Sequence, residues 1–463
     1  MRFLLLFCAL FLCCNAQAQS VLHANEVARL ARLYSPKLLS TLEKRNITTA
    51  KILEAEGAFD TSIEQDLYSR LHGFYEGQQA DTRIVQPLRE FNAELSAGYR
   101  ISDGDFPIYE DQRITTDDGE FLIGLKLSLL RNRTIDPNRF KLQTAQLQEA
   151  IIEADVALLQ IALQEQAVEK YWEWLSAGLI YDVYQDLLNI AVERQQNFKA
   201  RAEAGDIARI FLTENQQYIL QRQAELNNAA LEFDVKANQL GFYARNALGQ
   251  PLTPQKEQLP STFPPTDAMI DMATFQQRLL LRPELAQFSV QSQEFELREQ
   301  YGENLLLPKL DVSLEHNNDI GAGPSSRGEP ETILKADVSI PLQRRTARGY
   351  IAQAKAQQRQ LQYEVQLVTD SLTMKLQNAL KTLNNAREYV NITRKEIELA
   401  QTMQNAEQIR FRNGDSDYFL LNVRDENVAK ARIKHIKAQK QYQQALTQLY
   451  ALNMDFSGLC CGV

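Results

Sequence analysis

The sequence has 463 residues, a net charge of −9 and only four histidines. Its acidic balance argues against a nucleic-acid-binding protein, which needs a basic surface. The length allows two or three domains of ordinary size. Beyond the N-terminal segment, no apolar run is long enough for a transmembrane helix, so a membrane location would require β-strands with alternating apolar residues.

The N-terminus has the layout of a secretory signal peptide. Arg2 precedes an apolar run over residues 3–14, and small residues lead to a cleavage site expected after Ala18. The run is shorter than the ~20 residues that a membrane-spanning helix needs. A lipoprotein anchored through Cys13 or Cys14 is the alternative, but a bulky leucine stands where that signal wants a small residue.

The cysteines and histidines predict no metal or cofactor site and no enzyme. After signal cleavage only the adjacent Cys460 and Cys461 remain, and two neighbouring thiols cannot supply four metal ligands. No Gly-rich phosphate loop or nucleophile motif is present. The histidines lie far apart in the sequence, at His23, His72, His316 and His435.

Two long proline-free stretches predict very long helices. No proline occurs between Pro137 and Pro251, or after Pro341. A helix over about 138–203 would be ~100 Å long, as in a coiled-coil rod. Trp172 is interpreted as part of its packing face, together with an apolar stripe in steps of three and four at Ile152, Val156, Leu159, Leu163, Ala167, Tyr171 and Trp174.

The two long helices end at matching tips, which indicates an internal duplication. Gly205-Asp206 and Gly414-Asp415 each follow a long helix, with glycine suited to the C-cap and aspartate to capping the returning helix. The same offset then relates further apolar positions over about 36 residues, pairing Phe211-Leu212 with Leu420-Leu421, Phe233 with Tyr442, and Leu240 with Leu449.

Alternating apolar and polar residues predict strands before each long helix. In the first half the candidates are 61–75, 92–101 and 119–129, and the sequence does not decide which two enter a sheet. In the second half they are 310–315 and 334–340. Polar loops over 102–120 and 317–332 connect them, as on the outer side of a membrane barrel, although a soluble hairpin gives the same pattern.

The predicted domain organisation follows from this repeated order. A signal peptide over 1–18 precedes a first repeat over 19–245, and a Pro-rich linker over 246–266 separates it from a second repeat over 267–456. A tail over 457–463 ends the chain. Short helices over about 23–57 and 267–303 open the two repeats, so the order helix, strands, long helix, return helix occurs twice.

This plan resembles the TolC family of outer-membrane efflux and export proteins over nearly the whole mature chain. The sequence Leu-Pro-Lys-Leu at 307–310 resembles the strand entry of the second repeat. The sequence Val-Ser-Ile-Pro-Leu at 338–342, before an Ala-rich helix, resembles the strand-to-helix junction. Its counterpart in the first half is Leu-Ser-Leu-Leu at 127–130. Phe-Arg-Asn-Gly-Asp at 411–415 resembles the second tip.

The resemblance implies a mainly α fold with a β-barrel part. Four strands from each of three chains would build a twelve-stranded barrel on an α-helical tunnel across the periplasm. It also implies an outer-membrane location, and as partners a homotrimer, a periplasmic adaptor (membrane fusion) protein and an inner-membrane transporter. Four strands cannot close a barrel alone, and unpaired edges in lipid are costly, so the strand count by itself also favours a ring of copies.

The tips are where the family places gating and selectivity, and this sequence departs from the family there. Relatives often carry aspartates just after the second tip glycine, but the residues nearest to those positions here, Leu420 and Val423, are apolar. We therefore expect an entrance lined by aspartates or closed by an apolar constriction, with helix capping alone as the alternative role. The residues concerned are Gly205, Asp206, Gly414, Asp415, Asp417, Leu420 and Val423.

A non-conducting periplasmic or surface-associated helical scaffold is the competing interpretation. It shares the signal peptide, the long helices and self-association. It does not readily explain paired alternating strands before each helical hairpin. The cargo, the adaptor and the resting state of the tip are not determined by the sequence.

Overall fold

A computed structural model describes residues 21–90, 92–265, 277–278 and 281–456. The predicted signal peptide and the tail with Cys460 and Cys461 lie outside these residues. Seven helices are described below, namely α1 Ala24–Tyr34, α2 Pro36–Glu56, α3 Pro137–Glu203, α4 Ile210–Tyr243, α5 Pro283–Asn304, α6 Arg345–Asn413 and α7 Tyr418–Leu452. Six strands are β1 Ser62–Ser69, β2 Gly77–Leu88, β3 Ala93–Gly104, β4 Glu120–Ser128, β5 Lys309–Asp319 and β6 Glu331–Ser339.

The long helices agree with the prediction from proline and glycine spacing. Helix α3 runs for 67 residues and α6 for 69. Asp136 accepts hydrogen bonds from the backbone N–H groups of Asn138 and Arg139 at 2.8 and 3.1 Å, and Pro137 occupies the first helical position. This arrangement satisfies free N–H groups at the start of α3, where proline needs no hydrogen-bond acceptor.

The six strands form one antiparallel sheet in chain order, which corrects the four-strand expectation. All three first-half candidates enter the sheet as β1, β3 and β4. The unpredicted β2 lies between β1 and β3 and pairs with β3 along its whole length, from Gly77 opposite Gly104 to Leu88 opposite Ala93. It escaped prediction because the face opposite Asp81 and Arg83 is itself mixed, with the polar Gln78, Thr82 and Gln86 interrupting the apolar pattern around Ile84.

The described chain divides into two compact units, and each sequence repeat contributes to both. We call the first the helical unit; it contains the described residues within 1–41, 156–282 and 368–463. We call the second the sheet unit; it contains those within 42–155 and 283–367 and holds all six strands. In the part of the chain that the structure describes, no helix is apolar and long enough to cross a membrane.

The core of the helical unit is built around aromatic residues of α3. Trp172 and Trp174 are almost fully buried, which agrees with their predicted packing role. The indole N–H of Trp172 donates to Thr447 Oγ1 at 3.0 Å, and the hydroxyl of Tyr171 donates to the carbonyl of Leu22 at 2.9 Å. Gly178 lets α4 and the linker approach, because a Cβ there would lie 2.5 Å from Leu259.

In the sheet unit, the helices pack through aromatic rings and ion pairs. Phe140 on α3 stacks on Tyr301 of α5 with centroids 4.6 Å apart, and Tyr301 meets Tyr350 of α6 edge to face at 5.7 Å. Lys141 on α3 forms an ion pair with Glu54 on α2 at 2.6 Å. Since that pair is largely exposed, the apolar and aromatic contacts are the main source of cohesion.

A half-buried carboxyl on α3 makes the stability of the helical unit depend on pH. Burial, and then the neighbouring Glu169, raise the pKa of Glu165 to about 7, while Arg282 and Lys375 act in the opposite direction. The unfolded chain has a carboxyl pKa of ~4.3, so folding favours the protonated form. Stability should therefore fall as pH rises from 5 to 8, by about 1–2 kcal/mol, because partial exposure screens part of the ~1.4 kcal/mol per pKa unit that a fully buried group would give.

The change Glu165→Gln tests this prediction. Thermal unfolding followed by circular dichroism should show a midpoint that falls between pH 5 and pH 8 in the natural protein, and much less so in the Gln variant. Glu193→Gln on the same helix, at an exposed position, is the matched control and should keep the full pH dependence. An equal fall in the Glu165→Gln variant would contradict the assignment.

Candidate functional site: the sheet faces and the helical tips

One face of the sheet is apolar and exposed. The strand registers place Leu95, Leu125, Leu314 and Leu334 in one row across four strands. The exposed large apolar residues on this face are Ile63, Leu67, Ile84, Leu88, Leu95, Ile101, Phe121, Ile123, Leu125, Leu314, Leu334 and Val338. An apolar face this broad, continuous over six strands, marks a surface that contacts lipid or protein rather than water.

The opposite face carries a network of ion pairs. Arg100 on β3 contacts Asp81 on β2 at 2.9 Å and Glu120 on β4 at 3.1 Å. Arg83 also contacts Asp81, at 2.9 Å, and reaches Glu315 on β5 at 3.1 Å. The network therefore ties four neighbouring strands together on a polar surface.

This charged face borders a cavity of about 690 Å³. Its lining mixes carboxylates with guanidinium groups and amides, namely Asp66, Gln79, Asp81, Arg83, Arg100, Asp111, Gln112, Arg113, Glu120, Glu315, Asn317, Arg327, Glu331 and Ile333. Within the described residues, no group of three His, Cys, Asp or Glu side chains has the arrangement of a metal site. All of the lining side chains except that of Ile333 are polar or charged.

The loop after β3 folds back onto the hairpin between β1 and β2. Arg70 donates to Glu110 at 2.8 Å and to the Tyr68 hydroxyl at 3.0 Å, and the Arg113 guanidinium lies 4.1 Å from the Tyr68 ring centroid. Arg113 also donates to Gln79 at 2.6 Å. These contacts hold one end of the acidic loop against the strands.

The two predicted tips have the same backbone closure. Gly205 and Gly414 have φ angles of +82° and +83°, which glycine adopts without a steric penalty. The N–H of Asp206 donates to the carbonyl of Arg201, and that of Asp415 to the carbonyl of Arg410, each at 2.9 Å. Both tips thus end their long helices with the hydrogen bond of a Schellman motif, as a duplication requires.

The tip aspartates Asp206 and Asp415 were predicted to cap the returning helices, but neither does. The N-cap of α4 is Arg209, without a side-chain cap, and that of α7 is Asp417, which accepts from the N–H of Leu420 at 2.7 Å. The expectation for Asp206 and Asp415 was wrong because the turns continue for a few residues before each helix begins. Both side chains are exposed.

The apolar candidates at the second tip are only half-buried. Leu420 and Val423 lie in the first two turns of α7, whereas their neighbour Leu421 is fully packed. Whether the tip residues line an entrance remains a prediction.

A buried polar cluster behind the tips was missed by the sequence analysis. Asp425 on α7 has a fully buried side chain that contacts Arg194 on α3 at 2.8 Å. Gln404 on α6 donates to the other Asp425 oxygen at 2.8 Å, and Arg194 also donates to Asn422 at 3.0 Å. We call these four residues, with Tyr418, Asn215 and Arg222, the tip cluster.

The rest of the tip cluster brings in α4. The hydroxyl of Tyr418 donates to Asn215, whose amide in turn donates to the carbonyl of Ala191 at 3.0 Å. Arg222 donates to the carbonyl of Leu187 at 2.9 Å. Burial raises the pKa of Tyr418, so its hydroxyl stays a hydrogen-bond donor over the physiological pH range.

The tip cluster therefore links all four helices of the two hairpins. A sequence signal for it existed, because Asn422 and Asp425 occupy positions within an apolar helical stripe that includes Leu421 and Val428. Polar residues at such positions are buried and need partners. The identity of those partners was not readable, since Arg194 lies more than two hundred residues away.

The chain is similar to one protein family over part of its length and to several solved structures in its fold. Residues 274–453 match the family model described as Outer membrane efflux protein. No curated protein sequence matches the chain. The match covers the second repeat, and it confirms the resemblance that the sequence indicates.

Three solved structures share the fold at low sequence identity. The CmeC outer membrane channel of Campylobacter jejuni has a TM-score of 0.64 and 11% identity over 93% of this chain and 85% of that one. The open state of the MtrE outer membrane channel of Neisseria gonorrhoeae has 0.65 and 13%, over 94% and 89%. The outer membrane protein VceC of Vibrio cholerae has 0.63 and 12%, over 94% and 97%.

Proposed function

We propose that this chain is the outer-membrane channel of an export system, because residues 274–453 match the family model described as Outer membrane efflux protein. The observation that carries the proposal is the sheet with two unlike faces. An exposed apolar face suits the hydrocarbon of a bilayer, and a face of paired charges suits a water-filled lumen. A soluble sheet would cover or shorten so large an apolar face.

We place the sheet unit's strands in the outer membrane and the long helices in the periplasm. Strands of 9–12 residues, as in β2 to β6, match the ~9–11 residues that a tilted strand needs to cross a bilayer. A single copy would leave two sheet edges unpaired in lipid, where each free backbone group costs several kcal/mol. Association as a homotrimer removes those edges and encloses a passage.

The channel would take its substrate from an inner-membrane pump through a periplasmic adaptor. The system would be a tripartite efflux or a type I secretion system, and helices of 67 and 69 residues support this proposal because they are long enough to reach across a periplasmic space. The duct itself is not an enzyme and needs no cofactor. The tips would form the periplasmic entrance, with Asp206, Asp415, Asp417, Leu420 and Val423 closest to the passage.

Single-channel recording of the purified mature protein in a planar bilayer tests the proposal. We expect discrete, long-lived conductance steps. If the entrance is an anionic ring, Asp415→Asn with Asp417→Asn should reduce cation selectivity, and asparagine at 417 retains the helix cap. Glu193→Asn, a neutralisation away from the tips, is the control and should leave selectivity unchanged.

Two outcomes would count against this function. Unchanged selectivity in the double variant would remove the anionic ring but leave the channel. Absence of conductance, even after both tips are removed by mutation, would favour the non-conducting scaffold. Heat-resistant oligomers in the outer-membrane fraction should accompany a channel and be absent for a periplasmic scaffold.

A further inference from the structure

The two outermost strands of the sheet, β1 and β6, each have a free edge that can pair with a strand of another molecule. In the described chain the sheet begins at β1 and ends at β6, and each has one outer edge with no partner strand. Every residue of β6 is exposed, and so is all of β1 except Tyr68. Long, uncovered edges are pairing sites that monomeric proteins avoid.

We propose that the outer edge of β6 in one copy pairs antiparallel with the outer edge of β1 in the next copy. The inference rests on the proposed channel function and makes the closed ring six strands per chain, which is eighteen strands for three copies. Because the number of strands per chain is even, successive copies continue the antiparallel order of the sheet without a parallel junction.

Residue chemistry selects one register for this junction. When Leu334 lies opposite Leu67, Val338 lies opposite Ile63, and both pairs fall on the exposed apolar face. On the charged face the same register places Lys335 opposite Asp66. Directly opposite apolar pairs and opposite charges are the favourable cross-strand combinations.

The neighbouring registers are poorer. A shift by one residue would put apolar side chains on the charged face. A shift by two places Leu334 opposite a polar residue, Gln65 in one direction and Ser69 in the other. Across the sheet of a single copy, the cross-strand pairs connect Thr332 of β6 with Ile63 of β1, so these two residues lie at the same height. A junction with no offset along the strands would place Thr332 opposite Ile63 and would pair only the first residues of the two strands.

The geometry of a barrel supports the selected register independently. It places Thr332 opposite Ser69, six residues beyond the level position at Ile63. Six residues along a strand are ~20 Å, and six strands across the sheet are ~29 Å, so the strands would tilt by about 35°. Closed barrels have tilts of 35–45°, and the junction therefore gives a closed ring without further distortion.

The junction would also extend the ion-pair network. Asp66 lies in the same row as Asp81 and Arg100, and it lines the cavity on the charged face. Lys335 from the neighbouring copy would add a cation to this acidic end. A ring of four strands per chain would require β3 to leave β2, its partner over twelve residue pairs.

Cysteine cross-linking tests the junction in outer membranes of cells that express the full-length protein. The pair Asp66→Cys with Lys335→Cys should form covalent dimers and trimers but no larger species, because the ring closes. Cα atoms directly opposite are ~4.5–5.5 Å apart, within the range of a disulfide, so at least about tenfold more cross-linked product is expected than from either single variant.

Three further pairs make the result decisive. Ser313→Cys with Lys335→Cys joins residues opposite each other within one copy and should give only an internal disulfide. Asp66→Cys with Ile333→Cys or Asp337→Cys samples the registers two residues away. The proposal is overturned if the internal pair oxidises but no pairing with residue 66 gives an intermolecular product.

The conductance measurement keeps this inference separate from the proposed function. Cross-linked trimers without conductance would support the edge junction and count against the channel. Conductance without any cross-link to residue 66 would support the channel and remove the eighteen-stranded ring. Species larger than trimers would show open-ended pairing of the edges and would also overturn the closed ring.

Discussion

Replacing Asp425 with asparagine should lower the stability of the helical unit by about 3–5 kcal/mol, the usual cost of breaking a buried ion pair from one side. The variant leaves the Arg194 guanidinium, only 11% exposed, without its counter-charge. Thermal unfolding followed by helical circular dichroism should show a midpoint lower by roughly 5–15 °C. Asp415→Asn changes the same group at an exposed tip position and should shift the midpoint very little.

A double variant separates loss of the charge pair from loss of packing. Replacing a whole buried pair by apolar residues is often neutral, so Arg194→Met with Asp425→Leu should recover much of the lost stability. Equal midpoints for Asp425→Asn and Asp415→Asn would contradict the buried pair. Because Asp425 links α7 to α3 and α6, we also expect the asparagine variant to show more frequent or longer channel openings in bilayers.

Replacing Arg100 with methionine should have an effect of similar size on the sheet. Arg100 contacts both Asp81 and Glu120, and the Glu120 side chain is only 1% exposed. Its loss leaves two carboxylates on the charged face with less compensation, which should cost about 3–5 kcal/mol. The folded fraction in membranes should fall, and channels that do form should become more cation-selective.

Lys126→Met is the matched control for this prediction. It removes one positive charge from the same face of the sheet, at an exposed position on β4. Reversal potentials under a salt gradient, with the fraction of heat-resistant oligomer, measure the two effects. If both variants behave alike, the result reflects net charge and not the Arg100 network.

The sequence was informative wherever the signal was local. Long helices follow from the absence of proline, and the tips from glycine at 205 and 414, because backbone sterics act over a few residues. Five of the six strands were visible as alternation of apolar and polar side chains. β2 was not, because its charged face needs partners from other strands and polar residues interrupt the apolar pattern of its other face.

The tip site was only partly predictable for a related physical reason. The turn glycines and their aspartates could be located, but the cap of α7 proved to be Asp417, since the length of the turn depends on how the helices pack. The tip cluster could not be assembled from sequence at all. Arg194, Asn215 and Asp425 become neighbours only when three helices are brought together.

By itself, the sequence determined the duplication, the helical hairpins, the tip glycines and the outward apolar pattern of most strands, since each depends on residues close in the chain. Only the tertiary structure decided that six strands share one sheet, that Arg100 joins Asp81 to Glu120, that Glu165 is half-buried and that Asp425 is fully buried. Those properties depend on desolvation and on partners distant in sequence, and a one-dimensional pattern contains neither.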